Sequence, residues 1–88
     1  MAFKVFKRRD EEAGVFVAYV PSLAIYTQAR TEETLVRAAK SAIKTFIEIC
    51  HERGTMHHVT KPKEDRRWPG NWTEFFVDVT PNLKPSTN

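Results

Sequence analysis

Residues 10–21 read Asp10-Glu11-Glu12-Ala13-Gly14-Val15-Phe16-Val17-Ala18-Tyr19-Val20-Pro21, and this segment carries the clearest structural signal in the chain. Apart from one alanine, residues 15–20 are β-branched or aromatic, a composition typical of a β-strand. Pro21 ends the run because proline cannot donate a hydrogen bond to a neighbouring strand. The polar residues and Gly14 ahead of it suit a chain reversal. The segment therefore predicts the turn and the second strand of a β-hairpin.

Strand-like segments also occur before and after this hairpin. Phe3, Val5 and Phe6 form a short run that ends at Lys7-Arg8-Arg9 and supplies the first strand of the hairpin. Residues 24–29 alternate in polarity and predict a third strand. After a long polar stretch that contains prolines, residues 75–79 predict a last strand, which Pro81 ends.

One amphipathic helix is expected between the third and the last strand. The Thr31 hydroxyl can cap its first turn, and Glu32 and Glu33 place negative charge at the positive end of the helix dipole. Because Thr34 stands where a capping box has Glu or Gln, we expect an incomplete cap. Gly54 ends the helix in the left-handed conformation. The apolar stripe, at spacings of three and four, comprises Leu35, Ala39, Ala42, Ile43, Phe46, Ile49 and Cys50.

The predicted order β-β-β-α-β defines an α+β fold class. We expect a three-stranded antiparallel sheet plus a final strand, packed on one long helix. Residues 1–80 form a single domain in this interpretation, with an inserted loop at 55–73, and residues 81–88 form a flexible tail.

Composition limits the classes of protein that need to be considered. The chain has 88 residues, no apolar run long enough for a bilayer and no segment resembling a signal peptide. Its single cysteine, Cys50, cannot form an internal disulfide, on which small secreted domains usually depend. We therefore expect a cytoplasmic protein. The formal net charge of +3 is too small an excess to decide for or against a nucleic acid partner.

Two segments resemble the HicB-like antitoxin family, whose N-terminal domain is similar to a truncated RNase H-type fold. Residues 10–23 are similar to the family's acidic turn, glycine and strand end, here Ala18-Tyr19-Val20-Pro21-Ser22-Leu23. Thr27-Gln28-Ala29-Arg30-Thr31-Glu32-Glu33 and the helix that follows are similar to its next pattern. The resemblance implies either the partner-binding half of such an antitoxin or a standalone relative without a DNA-binding segment, and in both cases a HicA-like toxin protein is the partner that it suggests.

Candidate catalytic and metal-binding residues are few. An RNase H-type nuclease needs carboxylates that converge on metal ions, one of them from the first strand, and Phe3-Lys4-Val5-Phe6-Lys7 contains none. Asp10, Glu11 and Glu12 are adjacent at a turn, so we expect their side chains to diverge into water. We predict that the protein is not an enzyme and has no cofactor.

A metal site is also not expected. Cys50, His51, His57 and His58 are close in sequence, and thiolate and imidazole groups are zinc ligands. However, Cys50 lies on the apolar stripe of the helix, where a thiol acts as a small hydrophobe, and no second cysteine supplies a pair.

The insert supports an alternative function, that of a small RNA- or DNA-binding protein. Basic side chains beside indole rings suit single-stranded nucleic acid, because cations contact phosphates and rings stack on bases. The same two tryptophans would equally pin a long loop onto the sheet by burying their rings. The residues concerned are Lys61, Lys63, Arg66, Arg67, Trp68 and Trp72.

The strands predict self-association, because both faces of the sheet carry apolar residues and one helix covers only one face. Either a second copy or a fold-back of the insert through Trp68 and Trp72 has to cover the other. We predict a homodimer or higher even oligomer. The candidate residues for partner binding or self-association are Phe6, Phe16, Ala18, Val20 and Phe76. The leading functional interpretation is thus a non-catalytic protein-binding module that sequesters a partner protein.

Overall fold

The computed structural model describes residues 1–60 and 71–83. Its elements follow the predicted β-β-β-α-β order, with one additional helical turn. They are β1 (Ala2–Asp10), β2 (Val15–Val20), β3 (Ile25–Ala29), α1 (Glu32–Arg53), α2 (His57–Thr60) and β4 (Thr73–Asp78).

The strands form one antiparallel sheet in the order β3-β2-β1-β4, which confirms the predicted α+β fold class. The last strand joins the free edge of β1, so the first strand of the chain becomes a central strand. Phe6 pairs with Tyr19 on β2 and with Glu74 on β4. On the other side of β2, Tyr19 pairs with Tyr26.

The hairpin between β1 and β2 turns where the sequence predicts it. The Gly14 backbone N–H donates to the Asp10 carbonyl at 2.9 Å, and the Ala13 N–H donates to the Asp10 carboxylate at 3.2 Å. Gly14 has a φ of 67°, a conformation that glycine adopts without steric cost. The carboxylate of Asp10 therefore stabilises the turn by accepting this hydrogen bond.

The turn between β2 and β3 places an alanine in the same left-handed region. The Leu23 N–H donates to the Val20 carbonyl at 3.2 Å, and the Leu23 side chain is buried. Ala24 follows with a φ of 54°. This conformation is strained for a residue with a Cβ, so Ala24 raises the conformational free energy of the turn.

The caps of α1 are more complete than predicted. The Thr34 N–H donates to the Thr31 hydroxyl at 3.2 Å, and the Thr34 hydroxyl accepts from the Thr31 N–H at 3.4 Å. The expectation of an incomplete cap is wrong, because a threonine hydroxyl reaches back as the side chain of Glu or Gln does in this motif. Gly54 ends the helix at a φ of 69°, as predicted.

The hydrophobic core lies between α1 and one face of the sheet. The helix contributes Leu35, Ala39, Ile43, Ile47 and Cys50. The predicted stripe is wrong in two places: Ile49 is exposed, and Ile47, which the stripe omitted, is fully buried. The sheet and its adjoining segments contribute Phe3, Val5, Ala18, Val20, Leu23, Val77 and Val79.

The predicted insert and tail also contact this body. Val59, in α2, is buried in the core, so the first part of the insert is a helical turn with a packing role and not a loop. At the start of the predicted tail, the Asn82 N–H donates to the Glu48 carboxylate at 2.8 Å. Residues 61–70 of the predicted insert and residues 84–88 of the predicted tail lie outside the described residues.

Candidate interaction surface

The face of the sheet opposite α1 is the main candidate site, and we call it the open face. Side chains that pair directly across antiparallel strands point to the same side, and neighbours along a strand point to opposite sides. Val5 and Val20 point into the core, so the intervening positions point away from the helix. By this register the open face comprises Ala2, Lys4, Phe6, Arg8, Asp10, Val15, Val17, Tyr19, Tyr26, Gln28, Glu74, Phe76 and Asp78.

Aromatic rings form a row across three strands of the open face. Phe6 pairs with Tyr19, which pairs with Tyr26. The two tyrosine rings stack with their centroids 4.2 Å apart and their planes 30° apart. Phe76 lies on the neighbouring strand, opposite Lys4. Tyr26 and Phe76 are 67% and 64% exposed, unusual values for large side chains that share one face.

Trp72, which immediately precedes β4, adds a further ring. The Arg8 guanidinium carbon lies 5.2 Å from the centroid of the indole, within the range of a cation–π contact. Trp72 is half-buried. The indole of Trp72 therefore lies against the open face at Arg8.

Charges of both signs accompany these rings. The Lys4 ammonium lies 4.0 Å from the Glu74 carboxylate, and the amino-terminal ammonium lies 3.1 Å from the Asp78 carboxylate. Both pairs are partly exposed, so each stabilises the fold by at most about 1 kcal/mol. The described residues as a whole carry nine basic and nine acidic side chains. On the open face itself, the described cations Lys4 and Arg8 are matched by the carboxylates of Glu74 and Asp78, so these residues give no excess of positive charge.

The five residues predicted for partner binding or self-association do not share one surface. Phe6 and Phe76 lie on the open face. Ala18 and Val20 are fully buried, and Phe16 packs against the same core. These last three residues lie on the helix side of the sheet, and assigning Ala18 and Val20 to a partner surface is wrong because both are fully buried. Tyr19 and Tyr26 are absent from the predicted set, although the alternation of residues 24–29 separates Tyr26 from Ile25 and Thr27.

The residues predicted for nucleic acid binding are described at one position only. Lys61, Lys63, Arg66, Arg67 and Trp68 lie outside the described residues, and Trp72 has the position given above. All of the formal net charge of +3 belongs to residues 61–70 and 84–88, because the described residues are balanced.

The acidic turn shows no convergence of its carboxylates. Glu11 and Glu12 are exposed, and the Glu11 carboxylate lies 3.5 Å from the Arg9 guanidinium. Asp10 serves the turn as described above. The tip is thus a solvated turn with a local ion pair.

Cys50 and the nearby histidines are the residue types from which a zinc site would be built. Among the side chains that the structure describes, no three of the His, Cys, Asp and Glu types are grouped closely enough to hold an ion. Cys50 is buried in the core, where its thiol contacts apolar side chains. The described helices also include none with the length and hydropathy needed to cross a bilayer.

Comparison with known proteins yields no relatives: no family model, no curated protein and no solved structure matches this chain.

Proposed function

We propose that the protein is a non-catalytic binding module that docks a partner protein on the open face and acts by sequestering it. The observation that carries this proposal is the cluster of Phe6, Tyr19, Tyr26 and Phe76 on a face that α1 leaves uncovered. Water contact with such a patch is unfavourable, at about 25 cal/mol for each Å² of apolar surface. Covering the patch with a protein surface would recover that free energy.

The balance of charge favours a protein over a nucleic acid as the occupant. A site for single-stranded nucleic acid combines stacking rings with an excess of cations along the phosphate path. On the open face, Lys4 and Arg8 are accompanied by Glu74 and Asp78. Carboxylates in this position repel phosphates, whereas mixed charges around an apolar centre are typical of protein interfaces.

The resemblance to HicB-like antitoxins narrows the proposed partner to a HicA-like toxin, a short basic protein. The exposed carboxylates of Glu74 and Asp78 would attract a basic partner and raise its rate of association. The neighbouring reading frame is the first candidate to encode it. On this proposal, binding blocks the partner's working surface, and the module needs no catalytic group of its own.

Capture from native lysate tests the proposal. The tag belongs at the carboxyl terminus, because the amino-terminal ammonium pairs with Asp78. We compare the unchanged chain with Phe76→Glu, and we use Ile49→Glu as the matched control, since both replace an exposed apolar residue with the same charge. Ile49 lies on α1, on the other side of the sheet.

We expect the unchanged chain and Ile49→Glu to retain one co-purifying protein, which mass spectrometry identifies, and Phe76→Glu to lose it. Treating the lysate with nuclease is expected to change nothing. A partner that disappears on nuclease treatment would contradict the proposal and support the nucleic acid alternative. Equal capture by Phe76→Glu would show that the open face is not the docking surface.

A further inference from the structure

We propose that a second copy of this chain occupies the open face in the free protein, so that two sheets pack face to face about a twofold axis. The inference rests on the proposed function in one respect, that the open face is a protein-docking surface. It goes further by naming the occupant from the shape, the area and the charges of that face.

The shape of the open face suits another sheet better than it suits a single helix. Four strands spaced about 4.8 Å apart make a surface roughly 19 Å wide. A helix is about 10 Å in diameter with its side chains and would cover about half of that width. A second sheet is as wide as the first, and stacked sheets pack about 10 Å apart with interdigitating side chains.

The area of the face favours an occupant that covers all of it. With strands of five to nine residues, the flat projection of the open face is roughly 400 Å², and protruding rings increase its accessible area. Only part of this area is apolar, because Lys4, Arg8 and Gln28 share the face with the rings. A stable interface buries about 800 Å² on each partner. Complete coverage by a copy is needed to approach that value, because a smaller partner would leave exposed rings behind.

The distribution of charge allows the face to meet itself. In a twofold interface the same patch meets its own copy, so a face of one sign would repel. Lys4 and Arg8 lie on β1, and Glu74 and Asp78 lie on the adjacent β4. A rotation that exchanges the two copies can therefore bring carboxylates of one over cations of the other. The centre remains the aromatic row of Phe6, Tyr19 and Tyr26.

Sedimentation equilibrium of the purified full chain from about 1 to 100 μM tests the inference. The variants are Phe76→Glu and Tyr26→Glu on the open face, with Ile49→Glu as the matched control. All three side chains are exposed, so these changes should leave the fold intact, which far-ultraviolet circular dichroism verifies. Two buried negative charges related by the twofold axis should weaken dimerisation by at least about 100-fold.

The expected result is a 20.4 kDa species, twice the 10.2 kDa chain, for the unchanged protein and for Ile49→Glu, with monomers for both open-face variants. A monomer of the unchanged protein over the whole range overturns the inference, as do open-face variants that remain dimeric. Neither outcome affects the proposed function if a different polypeptide is still captured and Phe76→Glu still loses it. Failure of the proposed function is seen only in that capture experiment.

Discussion

Replacing Ile47 and Ile49 separately by alanine should have very different effects on stability, although the residues are two positions apart on one helix. Ile47 is 0% exposed and Ile49 is 42% exposed. Removing a fully buried isoleucine to alanine costs about 2–5 kcal/mol, from lost transfer free energy and from the cavity. Ile49→Ala should cost less than about 1 kcal/mol. The Ile49 side chain is already partly in water, and the higher helix propensity of alanine returns a few tenths of a kcal/mol.

Urea unfolding followed by circular dichroism at 222 nm measures the difference. With a slope of about 1–1.5 kcal/mol/M for a chain of 88 residues, Ile47→Ala should lower the midpoint by about 1.3–5 M and Ile49→Ala by under about 1 M. A chain of this size has only about 4–13 kcal/mol of stability in total. If Ile47→Ala does not fold, Ile47→Val can be measured in its place, with an expected cost of about 0.5–1.5 kcal/mol. Equal midpoint shifts for the two alanine variants would refute the assigned helix face.

Three further perturbations follow from single features of the chain. Ala24→Gly should stabilise the protein by about 0.5–1 kcal/mol. Glycine adopts the φ of 54° without strain, and this gain exceeds the free-energy cost of the larger conformational entropy that glycine gives the unfolded chain. A lowered melting temperature would contradict the strain at Ala24. Thr34→Ala should cost about 1 kcal/mol, since it removes the reciprocal bond of the capping box, whereas Thr45→Ala on the exposed face of α1 provides a control within about 0.5 kcal/mol. Replacing Lys61, Lys63, Arg66 and Arg67 together by serine should leave the melting temperature nearly unchanged. Filter binding of single-stranded RNA by the unchanged chain at rising salt completes this test, and a steep salt dependence that the serine variant lacks would restore the nucleic acid alternative.

Local sequence was sufficient for the order of the elements because each signal acts within a few residues. Gly14 and Gly54 both have a positive φ. A glycine next to a strand-like or helix-like segment is enough to predict the turn at Gly14 and the helix end at Gly54. Thr31 was identifiable as a helix cap for the same reason. The β-branched and aromatic run of residues 15–20 identifies a strand wherever the rest of the chain lies.

Some errors came from patterns that admit more than one solution. Spacings of three and four both fit a helix with 3.6 residues per turn, so from Ile43 the stripe can continue through Phe46 and Ile49 or through Ile47 and Cys50. The buried set is the second one. Val59 was missed because a turn of four residues is too short to show a periodic pattern.

The assignment of the two sheet faces was decided by tertiary structure alone. Alternation along β2 groups Phe16 with Ala18 and Val20, and groups Val17 with Tyr19. Both groups are apolar, so the sequence is equally compatible with either group facing the core. Only the packing of Leu35, Ile43 and Ile47 against Val5 and Val20 selects the first group as core. The sequence therefore determined which residues share a face and which elements exist, since these depend on backbone geometry over a few residues. Which face remains open, and with it the candidate site formed by Phe6, Tyr19, Tyr26 and Phe76, depends on contacts between α1 and a sheet assembled from strands more than sixty residues apart along the chain.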